Sequence, residues 1–133
     1  MHVAAGYQAL TSQDGKWLYI PRIPADGRGK FCRIRLDSHG KATGSEEMVL
    51  GRETNSANWQ HWTLAGDEIV FWDSNMSSRF SGLRAYHTVT KRLRTVVETP
   101  AAEFPAVSPD GKTIWYAKPD AAGGTLMVAE WSH

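Results

Sequence analysis

A short hairpin module occurs twice in this chain and a third time in worn form. Its fullest copy is Ser108-Pro109-Asp110-Gly111-Lys112 followed by Thr113-Ile114-Trp115-Tyr116-Ala117. Pro109 presets φ for a tight turn, Asp110 accepts local backbone hydrogen bonds, and Gly111 supplies a residue free to take positive φ. The β-branched and aromatic residues that follow suit a buried strand. The earlier copy is Ser12-Gln13-Asp14-Gly15-Lys16 with Trp17-Leu18-Tyr19-Ile20. The worn copy, Leu64-Ala65-Gly66-Asp67-Glu68 with Ile69-Val70-Phe71-Trp72, has lost the Asp-Gly order. A recurring module constrains architecture before any local assignment does.

Each copy is expected to sit in a longer run of strands. In the first run, residues 6–12 enter the turn and Trp17–Ile20 leaves it, with Pro21 ending the strand's central character. Residues 21–30 form a loop punctuated by Pro24, Gly27 and Gly29. Phe31-Cys32-Arg33-Ile34-Arg35-Leu36 alternates apolar and basic residues, as a half-exposed strand does. Asp37 to Lys41 makes a turn and Glu46–Leu50 an outer strand. In the second run, Asn58–Leu64, Ile69–Trp72, Gly82–His87 and Leu93–Val97 repeat that order, with a polar loop from Asp73 to Ser81. The third run has Glu103–Ala106, Thr113–Ala117 and Thr125–Trp131, without a fourth strand. Apolar positions recur every two residues rather than every three or four, so no amphipathic helix is expected.

Four short antiparallel strands recurring roughly every 45 residues is the pattern of β-propeller blades. The expected fold is all-β: a partial propeller of about three blades, over residues 6–50, 55–98 and 100–131, the last lacking its outer strand. The motif Ser108-Pro109-Asp110-Gly111-Lys112 before Ile114-Trp115-Tyr116-Ala117 resembles the repeat of TolB-type, WD40-like β-propellers. The runs "DGKWLYI" and "CRIRLD", "NWQHWTLAGDEIVFWD" and "LRAYHTVTKRLRTV", and "SPDGKTIWYAK" and "LMVAEW" resemble, in that order, the last blades of bacterial regulators in which a propeller follows a winged-helix DNA-binding domain. That resemblance covers nearly the whole chain, but its motifs are structural, so it implies a fold more than an activity.

Charge gives no sign of a nucleic-acid surface: 15 Lys and Arg stand against 14 Asp and Glu. The only basic cluster, Lys91-Arg92-Leu93-Arg94, is expected on an outer strand, where charge discourages edge pairing. No apolar run is long enough to span a bilayer, and Met1 to Gly6 does not read as a signal peptide. Cytoplasmic location is the expectation, or periplasmic if a longer parent is exported. The single cysteine, Cys32, excludes an intrachain disulfide and is expected as a small buried hydrophobe. Asn75-Met76-Ser77 fits a glycosylation acceptor, without a secretory signal to give it meaning.

Catalytic chemistry is weakly represented. The chain has no Gly-x-Ser-x-Gly elbow, and His61, His87, Asp67 and Asp73 match no ligand or triad spacing. No catalytic residue, cofactor or metal is expected. Asp14, Gly15, Lys16, Asp110, Gly111 and Lys112 recur in matching turns and read as turn-forming residues. Trp59, His61, Trp62 and Trp72 are the candidate ligand-facing set, together with Trp115 where a channel stacks a sugar or peptide. The competing expectation, and the favoured one, is that these aromatics fill space between blades.

The first functional reading is a non-catalytic scaffold or sensor that binds a protein or ligand, as the C-terminal part of a larger regulator. Its partner is the remaining blades of a parent chain, or further copies that close a ring; neither nucleic acid nor membrane is contacted directly. The alternatives are the gating propeller of a prolyl-oligopeptidase-type serine peptidase and a TolB-like envelope protein. The chain as given ends at His133 with no hydrolase segment behind the repeats, which favours the first reading.

Overall fold

Alternation of apolar and polar residues produces eleven strands among the residues that the computed structural model describes: 9–22, 30–50, 62–75, 80–99, 103–108, 112–118 and 124–130. The strands are β1 (Leu10–Thr11), β2 (Trp17–Arg22), β3 (Lys30–Leu36), β4 (Ala42–Leu50), β5 (Trp62–Ala65), β6 (Glu68–Asn75), β7 (Phe80–His87), β8 (Leu93–Glu98), β9 (Glu103–Val107), β10 (Thr113–Lys118) and β11 (Thr125–Glu130). They form three antiparallel sheets, ordered β1-β2-β3-β4, β5-β6-β7-β8 and β11-β10-β9. Every pairing joins sequence neighbours, so each sheet is a simple meander. The described residues contain no helix. The chain divides into two units: Met1–Gln60 carries the first sheet, and His61–His133 carries the second and third.

In the first sheet, successive side chains alternate faces. Leu18, Ile20 and Leu36 cluster on one face with Ala9, Ile34 and Ala42 packed against them. The register Tyr19↔Arg33, Pro21↔Phe31 and Phe31↔Leu50 puts those residues on the opposite face. There Tyr19, Pro21, Phe31 and Leu50 are buried, while Arg35 and Glu47 near the turn end are exposed.

The second unit is built on sheet-to-sheet packing. Ala65, Val70, Leu83 and Ala85 of the second sheet join Ile114 and Tyr116 of the third in one buried cluster, with Trp72, Val96, Val97, Val107 and Met127 against it. The opposite face of the second sheet carries Trp62, Ile69, Phe71, Asp73 and Tyr86, all buried as well. From Ile69 to Trp72 both faces of β6 are therefore apolar and at least partly buried, which explains the unbroken Ile-Val-Phe-Trp run.

The turns show why this sequence makes hairpins. The Ser12 hydroxyl donates to Asp14 Oδ1 (2.6 Å) and accepts from the Trp17 N–H (3.0 Å), while Asp14 Oδ1 accepts from the Lys16 N–H (3.0 Å). Gly15 takes φ 73°, the left-handed conformation the turn requires. Part of the same cap recurs at the third sheet, where the Thr113 N–H donates to the Ser108 hydroxyl (3.1 Å) and the Ser108 N–H to the Thr113 carbonyl (2.9 Å). Between β3 and β4, Asp37 Oδ1 accepts from the His39 and Lys41 N–H groups (2.8 and 2.9 Å). Between β7 and β8 an imidazole takes that part: His87 Nδ1 accepts from the Val89 and Thr90 N–H groups (3.2 and 3.1 Å).

Several boundaries differ from the sequence expectation. Pro21 does not end its strand; it lies inside β2 opposite Phe31. Among the described residues β1 flanks β2 only at Leu18 and Tyr19, so no partner there needs the N–H that proline lacks. β6 and β7 run through much of the expected polar loop, pairing Ser74 with Ser81 and Asn75 with Phe80. Ladder hydrogen bonds are backbone bonds and do not require apolar side chains. Arg94 is not a free edge charge: it forms a two-pronged ion pair with the buried Glu68 (both bonds 3.1 Å), two strands away. Lys91, in the turn expected over residues 88–92, takes φ 59° between β7 and β8.

Candidate functional site

Two places stand out for what their residues can do. The first is the outward face of the third sheet. Ile114, Tyr116, Val107 and Met127 point into the core, so alternation turns Trp115, Ala106, Leu126 and Val128 the other way. Trp115 is 42% exposed, Leu126 69% and Val128 57%. The register pairs Trp115 with both Val128 and Ala106, and Ala117 with Leu126, so these side chains adjoin on one surface. Scattered exposed apolar residues are ordinary, but Trp115, Leu126 and Val128 adjoin across strands on one sheet face.

That patch runs to an open edge. In the first and second sheets the third strand is flanked on both sides, β3 by β2 and β4, β7 by β6 and β8. Among the described strands β11 is paired only with β10, so it stands at the edge of its sheet. Such an edge is a template for another strand.

The second place is on the first sheet. The Arg33 guanidinium carbon lies 3.9 Å from the Trp17 ring centroid and that of Arg35 5.1 Å from it. Strand register creates this cluster: Trp17 is opposite Arg35, and Tyr19 opposite Arg33. Arg33 is further held by Glu47 and by donating to the Tyr19 hydroxyl (3.3 Å). The adjacent Asp14 is kept below the usual carboxylate range, first by the Ser12 hydroxyl and then by the Lys16 N–H.

On the other face, Arg22 makes a two-pronged ion pair with Glu46 (2.8 and 3.0 Å), which holds the Glu46 carboxyl below its ordinary range. Beside it burial, followed by the Glu46 charge, pushes the Cys32 thiol up to about 11. Cys32 is a protonated, buried thiol and a poor nucleophile.

The residues singled out from sequence do not converge. Trp62 is buried opposite Phe71, so Trp72, one residue further along, belongs to the other face of the same sheet. No channel lining can contain both. Trp115, expected to fill space between blades, is instead exposed. Asp14, Gly15 and Lys16 sit in the first turn, and Lys112 is exposed beside β10. Trp59, His61, Asp110 and Gly111 lie outside the described residues. Among the described residues no group of three or more His, Cys, Asp and Glu side chains is placed to hold a metal ion. Sequence reasoning missed the Trp17–Arg33–Arg35 cluster. The spacing of Arg33 and Arg35 was visible, but their shared partner depends on register.

Comparison with known proteins adds no family: no family model matches the chain, and no curated protein matches it.

Proposed function

We propose that this chain is a partial β-propeller that serves as a non-catalytic binding scaffold, with the third sheet as its docking end. The observation that carries this reading is the coincidence of an apolar sheet face and an edge strand, β11, that has β10 as its one neighbour among the described strands. Three successive antiparallel meanders, and the resemblance of the Ser-x-Asp-Gly hairpins to TolB-type, WD40-like repeats, support the propeller assignment. The partner is itself β-structure: the remaining blades of a longer propeller, or a second copy. The first two sheets show what occupies the place beside the third strand, namely an antiparallel strand such as β4 or β8. A partner sheet over Leu126 and Val128 removes two aliphatic side chains from water, worth about 1.5–3 kcal/mol each when burial is complete.

Light scattering across a concentration series tests this. The expected result is a mass that rises above one chain, and a return to one chain in Leu126→Lys and Val128→Lys. A cooperatively unfolding monomer at every concentration would sink the reading.

A further inference from the structure

Of the arginines on the first sheet, Arg22 is paired with Glu46 and Arg33 with Glu47. Arg35 is exposed, and among the described residues its side chain has the Trp17 ring beneath it and no carboxylate in ion-pair contact. Stacking on an aromatic ring restricts a guanidinium while leaving its edge N–H donors open, and a planar donor fork suits an oxyanion. The backbone on either side is fixed: Arg35 is opposite Trp17 and Thr43, and the next N–H, of Leu36, donates to the Lys16 carbonyl (2.8 Å). The receptor is therefore built on paired strands rather than a loop.

We propose that Arg35, seated on Trp17, is a receptor for one carboxylate of a peptide partner. Charge selects the ligand class. Arg33, Arg35, Lys16 and Lys41 bring four positive charges to this end of the sheet, and Asp14, Asp37 and Glu47 three negative ones, leaving one positive. A carboxylate balances that remainder, whereas a phosphate dianion overshoots it and is repelled more strongly than a single charge by Asp14, which is near enough to feel Arg35. The site lies on the first sheet and does not depend on the third sheet's apolar face.

The test is an NMR titration of the full chain with three probes: a blocked Gly-Gly-Glu-Gly-Gly peptide, its Gln counterpart and inorganic phosphate. The expected result is saturable shifts of the Trp17 indole N–H and Arg35 Nε–H with the Glu peptide and none with the Gln peptide. Arg35→Lys keeps the charge but loses the fork, and is expected to weaken binding about tenfold. Equal binding by wild type and Arg35→Lys, or no saturable shift with the Glu peptide, overturns the site. Tighter binding of phosphate than of the Glu peptide overturns the carboxylate assignment. Should Arg35→Lys fail to fold, the wild-type Arg35 Nε–H response to the three probes decides.

Discussion

Substituting the left-handed residue in each of two corresponding turns should move stability in opposite directions. Gly40, between β3 and β4, has φ 78°; Lys91, between β7 and β8, has φ 59°. A residue with a Cβ in this conformation costs about 1–2 kcal/mol relative to its right-handed form. Glycine avoids that cost but gives the unfolded chain more freedom, worth about 0.5–1 kcal/mol. An added Cβ at Gly40 meets nothing within 4 Å, so Gly40→Ala changes backbone energy without a clash. The difference between the two effects leaves Gly40→Ala destabilising by about 0.5–1 kcal/mol and Lys91→Gly stabilising by a similar amount. Urea unfolding followed by tryptophan fluorescence reads both, and amide exchange in β4 and β8 localises each change to its hairpin. A destabilised Lys91→Gly, or a Gly40→Ala indistinguishable from wild type, would refute the backbone argument.

Three further outcomes follow from the packing and electrostatics. Cys32, buried with its thiol at about 11, should react negligibly with a thiol reagent at pH 8 and fully once urea unfolds the first sheet; prompt native-state labelling would contradict its burial. Glu46 has a lowered folded pKa, so its contribution is present above its ordinary value of 4.5 and lost as pH falls through the folded value. Both partners are partly exposed, so the loss should be below about 1 kcal/mol, and the difference between wild type and Glu46→Gln should vanish at the acid end of a pH series of urea melts. Ile114, fully buried between the second and third sheets, should cost about 2–5 kcal/mol as Ile114→Ala and about 0.5–1.5 as Ile114→Val. A loss under 1 kcal/mol for the alanine variant, measured by urea unfolding, would mean that those sheets do not pack as described.

Much of the architecture was legible because it rests on local chemistry. The turn role of Asp14 and Gly15 needs only the Lys16 N–H two residues on and a positive φ, and alternation across Phe31–Leu36 marks a strand without knowledge of its neighbours. What escaped depends on register, which no single segment encodes. Whether Trp62 and Trp72 share a face is decided by the pairing of Trp62 with Phe71. Arg94 looks like an edge charge until the sheet brings it beside Glu68. Arg33 and Arg35 become a site only when β2 sets Trp17 across from them. The length of β6 and β7 was hidden for another reason: backbone pairing continues through Ser74 and Asn75 despite their polarity.

Amide hydrogen exchange in β11, compared at low and high protein concentration, bears most directly on the proposed docking end. In an antiparallel edge strand, alternate N–H groups point away from the one neighbour it has. If a partner strand adds beside Thr125–Glu130, the outward amides of β11 become protected as concentration rises, while those bonded to β10 change little. If the outward amides exchange freely at every concentration, the third sheet is not a docking end and the proposed function falls.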